Sequence, residues 1–524
     1  MIALSRYICL NMLSPKKSIL LFSAVMGLSI VFTLQSCKKK SRSDMGKALF
    51  ATTNNKVFKD ITPEGFSAVF QKKLIDQKAR LTNPKIIVAY YEQHDYDPVL
   101  IMEHLDKQDL KVLPKYLQKS NEHGLDPKMF QTEKLKAMLA KLYDKNGIKT
   151  IDEAYQDMAE LELTMANSLI NYSNALQFGV MNPRRIYANY YTQTKRPDSI
   201  SMSHVFEVKS FKTFLDSIQP KDPQYLALQK ALVGTTAAPG MSAEETQRAI
   251  LVNLERLRWK NKPSESKYVL VNIPDYQLNF MDNGKSILNM KVCVGEGRNK
   301  DHSHNLVEYD DSYQIDRPFS RETPQLNSMI YVAEVNPVWN IPQSIASKEI
   351  IVEAAKDPYY LSNKNIVVYK GGQEVEDPET IKWATLSENE KASYSFKQKP
   401  GDDNSLGKIK FLFKNSTNVY LHDTPAKQAF AKPMRAVSHG CVRLEKPLDF
   451  AHALFGDSAK YKTIEKCIVE DNPEPTSLSL NNKVPVYITY FTCWSDDSGT
   501  LQFRKDIYGL DIVLYAHLQK FLSA

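Results

Sequence analysis

The sequence predicts an all-helical domain followed by a β-rich domain with helical inserts. Three observations point there. From about Pro63 to Leu232 apolar residues recur at steps of three and four; Met158, Leu161, Met165, Leu169, Tyr172 and Leu176 mark one face of a helix over residues 151–177. From Tyr268 the period switches to two, with Val269, Val271 and Ile273 set against Tyr268, Leu270 and Asn272. Between these halves, residues 235–240 break the pattern with Pro239 and Gly240. A chain of 524 residues also exceeds one ordinary core.

Taken in order, residues 1–36 read as an export signal, with Lys16 and Lys17 ahead of an apolar run over residues 18–35. That run is about as long as a membrane span, so an uncleaved anchor competes with a cleaved signal. Ser36 before Cys37 favours a lipoprotein signal, with Cys37 as the lipidated residue; Met12 is an alternative start. Residues 37–62 are polar and basic and read as a tether. Lys38, Lys39 and Lys40 beside an acyl chain would add attraction to anionic lipid.

The helical domain covers residues 63–234. One helix starts at Pro84 and stops before Tyr96-Asp97-Pro98. The next runs over 110–120 and closes at Gly124, and Asp126-Pro127 opens another to Lys145. Residues 206–218 and 223–232 add two more. Residues 235–267 form a linker, with one helix over 243–259 and a polar hinge after it.

In the second domain, residues 268–524, strands are expected at 268–273, 276–280, 287–294, 330–335, 366–369, 409–413, 419–422 and 484–492. Asp282-Asn283-Gly284-Lys285 is a hairpin turn. Helical inserts are expected at 343–356 and 447–454, and no segment after the signal is apolar enough to span a membrane.

The net charge is +8; without residues 1–36, which hold Arg6, Lys16, Lys17 and no acid, it is 65 − 60 = +5. That mild excess suits an anionic polymer or membrane surface and does not point to nucleic acid. Cys9 and Cys37 fall in or beside the signal. Cys293, Cys467 and Cys493 read as buried thiols, with a Cys467–Cys493 disulfide also open. No CxxC spacing exists to hold zinc. His302 and His304 lie in an apparent insertion over residues 301–322, more a solvated loop than a metal site.

The sixth cysteine stands in Ser438-His439-Gly440-Cys441-Val442-Arg443, about twenty residues after Tyr420-Leu421-His422-Asp423-Thr424-Pro425. An ordinary thiol is mostly protonated at neutral pH, so a nucleophilic Cys441 needs a base or cation, and His422, His439 and Arg443 are the candidates. If 438–443 is extended, His439, Cys441 and Arg443 share a face. The N–H groups of Gly440 and Cys441 would form an oxyanion hole. On residue chemistry alone, buried structural roles for these groups stay open.

These two segments resemble the active-site signature of the YkuD-type L,D-transpeptidases. Asn336-Pro337-Val338-Trp339-Asn340-Ile341-Pro342 and residues 399–407 resemble family segments flanking the cleft. The helical half, with His123-Gly124-Leu125-Asp126-Pro127, is similar to the scaffold domain of the long subfamily. The span 235–265 is too short for the peptidoglycan-binding module that many of its members carry.

The resemblance implies a peptidoglycan L,D-transpeptidase whose nucleophile is Cys441. It would attack the diaminopimelate–D-Ala bond of a tetrapeptide stem, form a thioester and pass the acyl group to a second stem, giving a 3→3 cross-link. His422 would be base and then acid, oriented by the Asp423 carbonyl. His439 and Gly440 complete the catalytic set, with Tyr420, Arg443, Trp339, Asn340, Asp423 and Ser438 at the substrate. No cofactor or metal is required. Acylation by carbapenems is expected, and so is a periplasmic, membrane-anchored lipoprotein. Residues 343–405 would form a lid. Water, a D-amino acid or a protein lysine remain open as acceptors, and a non-catalytic peptidoglycan-binding scaffold is the rival from another class.

Overall fold

The computed structural model describes residues 43–106, 108–234, 236–297, 321–470 and 473–523, with side chains to residue 521. The signal, Cys37, the lysines after it, His302 and His304 lie outside the described residues. Helices come first and a β-rich domain follows, as the periodicities predict.

The tether does not extend to residue 62. Asp44–Thr53 is a helix capped by the Ser43 hydroxyl, and Lys56–Asp60 forms a 3-10 turn. Met45, Leu49, Phe58 and Ile61 enter the helical core. The many polar residues hid a one-sided apolar pattern. The long helix runs Ile151–Phe178, and all six residues of its marked face are buried. The helix expected from Asp126-Pro127 is split, because Gln131 at φ 51° separates a 3-10 turn, Pro127–Phe130, from a helix, Thr132–Tyr143.

The β-rich domain is a closed sheet. Its strands are β1 (Lys267–Asn272), β2 (Gln277–Asp282), β3 (Lys285–Gly295) and β4 (Leu326–Val335). Then come β5 (Trp339–Ile341), β6 (Ile366–Lys370), β7 (Gln373–Glu374), β8 (Tyr394–Gln398) and β9 (Ile409–Phe413). The rest are β10 (Leu421–His422), β11 (Ala436–Ser438), β12 (Val442–Leu444), β13 (Thr476–Thr489), β14 (Cys493–Ser495) and β15 (Leu501–Phe503). The main order is β11-β3-β12-β10-β9-β4-β13-β1-β2, and β2 pairs again with β3, which closes the ring. Asn283 and Gly284 turn the β2–β3 hairpin with φ of 48° and 78°, as a type I′ turn requires.

Strands β5-β8-β6-β7 form a separate small sheet inserted between β4 and β9. It has its own core, which includes Ile341, Val368, Trp383 and Phe396. Cys467 and Cys493 are free buried thiols. The sequence reading missed the helices Ala459–Ile468 and Leu510–Ser523, both outside any strict period-two run.

The boundary near residue 235 separates sequence patterns, not cores. Met181, Ile186, Tyr187, Tyr190 and Trp259 pack into the core of the closed sheet. The helix Ala243–Arg258, capped by a Ser242–Glu245 capping box, carries buried charge on both sides of this junction. Glu255 accepts from the N–H of Met181 at 2.8 Å, from Trp259 Nε1 at 3.1 Å and from Arg258 Nη2 at 2.7 Å. Arg258 also donates to the His123 carbonyl and the Tyr225 hydroxyl. Arg256 pairs with Asp511, on the C-terminal helix, and with the Tyr187 hydroxyl.

Removing one member of such a set leaves buried groups unpaired. Glu255→Ala is expected to destabilise the protein by about 3–5 kcal/mol. The exposed control Glu244→Ala should change stability by less than about 0.5 kcal/mol. Denaturant unfolding of the full chain compares the two.

Candidate active site

Parallel pairing of β10 with β12 sets Leu421 beside Val442 and His422 beside Arg443. Leu421, Val442 and Leu444 are fully buried in the core of the closed sheet. Alternation therefore places Tyr420, His422, Cys441 and Arg443 together on the outer face. The Tyr420 and His422 rings meet edge to face at 5.6 Å. The Tyr420 hydroxyl interacts with the Cys441 thiol and the Trp339 side chain. Cys441 is half-buried, whereas the other three described cysteines are buried.

The Asp423 carbonyl lies 2.5 Å from His422 Nδ1. A carbonyl only accepts, so Nδ1 carries the proton and Nε2 is left as the basic nitrogen. Burial, then the Arg443 charge, pulls the His422 pKa down to about 4. Burial pushes the Cys441 thiol up to about 11, against the Tyr420 backbone N–H, Arg443, the Tyr420 hydroxyl and Lys410. The resting pair is thus a neutral thiol and a neutral imidazole. No hydrogen bond joins them among the described residues, and the thiol's polar neighbour is Tyr420.

Residues 438–443 are not one extended run. β11 ends at Ser438, β12 begins at Val442, and Gly440 between them has φ +112°, which strains any residue with a Cβ. His439 therefore leaves the Cys441 row. Its Nε2 pairs at 2.7 Å with Glu349, on the inserted sheet's helical segment, and Glu349 also holds Arg321. The Gly440 N–H donates to Ser438 Oγ at 3.1 Å, so the expected pair of oxyanion donors reduces to one. The Cys441 N–H meets no acceptor among the described residues.

Ser438 Oγ donates in turn to the Cys441 carbonyl at 2.5 Å, which makes it a brace of the turn. The Asp423 carboxylate accepts from the Lys408 N–H at 2.9 Å and pairs with Lys427, so only its carbonyl serves the imidazole. Trp339 is half-buried beside Tyr420, and Asn340 is exposed. Arg443 is half-buried; its Nε has no acceptor and no carboxylate pairs with it among the described residues.

The sequence reading missed Glu349, Arg321 and Thr323. Thr323 Oγ1 donates to the Gly440 carbonyl across 117 positions, and His439 meets Glu349 across 90. One local sign existed: Gly295 ends an apolar strand, a mark of close backbone approach. A Cβ there would stand 1.9 Å from the Arg321 carbonyl oxygen.

Residues 266–456 match the YkuD family, described as the L,D-transpeptidase catalytic domain, and residues 85–232 match the Scaffold domain family. A curated protein of Haemophilus influenzae, "Putative L,D-transpeptidase", is 27% identical over 327 residues, covering 62% of this chain and 61% of its own length. The chain thus spans less than two thirds of that relative. The solved structure of the Ldtfm-avibactam carbamoyl enzyme covers 47% of this chain and 61% of its own, at 11% identity and a TM-score of 0.19, a likeness too slight to carry an argument.

The raised thiol has a direct consequence. Below its pKa, the thiolate fraction grows tenfold per pH unit. Iodoacetamide labelling of Cys441 should therefore climb steadily through neutral and mildly alkaline pH toward a midpoint of about 11. A plateau reached near pH 6–7 would instead mean a preformed thiolate–imidazolium pair. Peptide mapping assigns the label to Cys441 rather than the buried thiols.

Proposed function

We propose that this chain, which carries a YkuD-type L,D-transpeptidase catalytic domain behind a scaffold domain, transfers acyl groups between peptidoglycan stem peptides through Cys441. The observation that carries this reading is the shared face of the half-buried Cys441 thiol, neutral His422, Tyr420 and an Arg443 that no described acid pairs.

In this reading, Cys441 Sγ attacks the carbonyl of the diaminopimelate–D-Ala amide while its proton passes to His422 Nε2. The neutral imidazole suits that role, because a base must be unprotonated to act. The Cys441 N–H and the Tyr420 hydroxyl face the developing oxyanion. The C–N bond breaks, D-Ala takes the proton from His422, and a thioester remains. The side-chain amine of a second stem then attacks the thioester carbonyl and gives its proton to His422. Cys441 leaves and recovers that proton, and a 3→3 cross-link is formed. The amide's energy is held in the thioester, so the scheme needs no nucleotide. Arg443 offers a planar donor pair to a stem carboxylate. The inserted sheet, tied to His439 through Glu349, acts as a cover over the site.

Intact mass spectrometry tests the reading. A carbapenem should add one drug mass to the wild-type protein and none to Cys441→Ala. His422→Ala should slow acylation by about 10²–10⁴-fold. Tetrapeptide muropeptides then identify the acceptor: dimers mean a second stem, tripeptides mean water, exchanged termini mean a D-amino acid, and an acylated lysine means a protein. A well-folded wild-type protein that takes neither drug nor muropeptide would favour a binding scaffold.

The export signal and Cys37 support a periplasmic lipoprotein held at the membrane by its acyl chains. Cys37→Ser should move the protein from the membrane to the soluble fraction. Retention at the membrane would point to the uncleaved apolar segment as the anchor.

A further inference from the structure

The catalytic turn is held by residues that neither signature segment contains. Thr323 is buried, with 2% of its surface exposed. Its Oγ1 accepts from the Gly295 N–H at 2.8 Å and donates to the Gly440 carbonyl at 2.8 Å. Its backbone N–H donates to the Tyr508 hydroxyl at 3.1 Å, and that hydroxyl donates to the Gly295 carbonyl at 2.8 Å. Thr323 and Tyr508 thus bind both polar groups of Gly295 and the carbonyl of Gly440. The close approach requires that Gly295 have no side chain, since a Cβ would overlap the backbone of residues 321–323.

The consequence follows from peptide geometry. The Gly440–Cys441 peptide is planar, so its C=O and N–H point in opposite directions. A hydroxyl that fixes the Gly440 carbonyl fixes the direction of the Cys441 N–H as well. That N–H is the donor left for an oxyanion, because the Gly440 N–H is taken by Ser438.

The support extends further back. The Tyr508 N–H donates to the Tyr490 hydroxyl at 2.9 Å, and Tyr490 donates to Asp506 at 2.6 Å. Asp506 accepts from the Asp511 N–H, and the Asp511 carboxylate pairs with Arg256. Tyr490, Asp506, Tyr508 and Asp511 all lie beyond the stretch matched to the catalytic-domain family, which ends at residue 456.

We propose that Thr323 and Tyr508 are positioning residues that aim the Cys441 N–H at the oxyanion, so that the segment after residue 489 completes the catalytic geometry of this chain. The inference rests on the acyl-transfer reading above.

The test compares two reactions of Cys441 in the full chain. Acylation by a carbapenem builds an oxyanion; alkylation by iodoacetamide displaces iodide and builds none. Thr323→Val keeps the shape and removes the hydroxyl. It should slow acylation by about 10- to 100-fold, with alkylation changed by less than about 2-fold across the pH range. Thr323→Ser restores the hydroxyl and should recover acylation to within about 3-fold of wild type. Tyr508→Phe keeps the ring and should slow acylation by about 3- to 10-fold, with alkylation again unchanged.

Wild-type acylation in Thr323→Val overturns the inference, as does an equal loss of both reactions in Thr323→Val and Tyr508→Phe, or failure of Thr323→Ser to recover. If the wild-type protein alkylates but never acylates, the acyl-transfer reading falls, and this inference falls with it.

Discussion

The structure depends on the buried charge of the helix Ala243–Arg258. Glu255, Arg256 and Arg258 are each 4% exposed or less, and a buried charge is tolerated only when its partners are held in place. Those partners come from distant parts of the chain: His123 and Tyr225 from the helical domain, Met181 and Tyr187 from its return, and Asp511 from the C-terminal helix. Correct pairing of three side chains therefore ties the helical domain to the chain end and to Met181 and Tyr187, which pack into the core of the closed sheet. Apolar packing alone would fix that register less sharply, because it lacks direction.

Two structural features reach Cys441. Closure of the sheet through the β2–β3 and β3–β12 pairings puts the wall formed by β10, β12 and β3 between the core and the site. Leu421, Val442 and Leu444 anchor the wall from inside, and the reacting groups stand on rigid strand positions outside. The C-terminal segment, held by Arg256 through Asp511, then supplies Tyr508 to the back of the same wall.

Burial sets the electrostatic character of the site. It raises the Cys441 thiol and lowers His422, so both favour their neutral forms, and Arg443 deepens the shift of His422 while easing that of the thiol. A site arranged this way stores little charge at rest. It develops charge when a substrate carbonyl arrives, where fixed donors and a nearby cation are worth more than they would be in water.

Local features follow from the order of residues alone. The face over residues 151–177, the β2–β3 hairpin and the alternation of β1 all appear as read, because side-chain periodicity and turn chemistry act within a few residues. The chemical parts of the site, Cys441, His422, Tyr420 and Arg443, were legible for the same reason: each lies in one of two short segments. The tertiary structure decided the rest. Polar composition concealed the helix Asp44–Thr53, whose role depends on a core formed by distant residues. The break at Gly440 sent His439 to Glu349 and left the Cys441 N–H without an acceptor among the described residues. Thr323, Tyr508 and Asp511 had no local signal at all. Thr323 meets Gly440, Tyr508 meets Gly295 and Asp511 meets Arg256 across 117, 213 and 255 positions, and only a folded chain makes such groups neighbours.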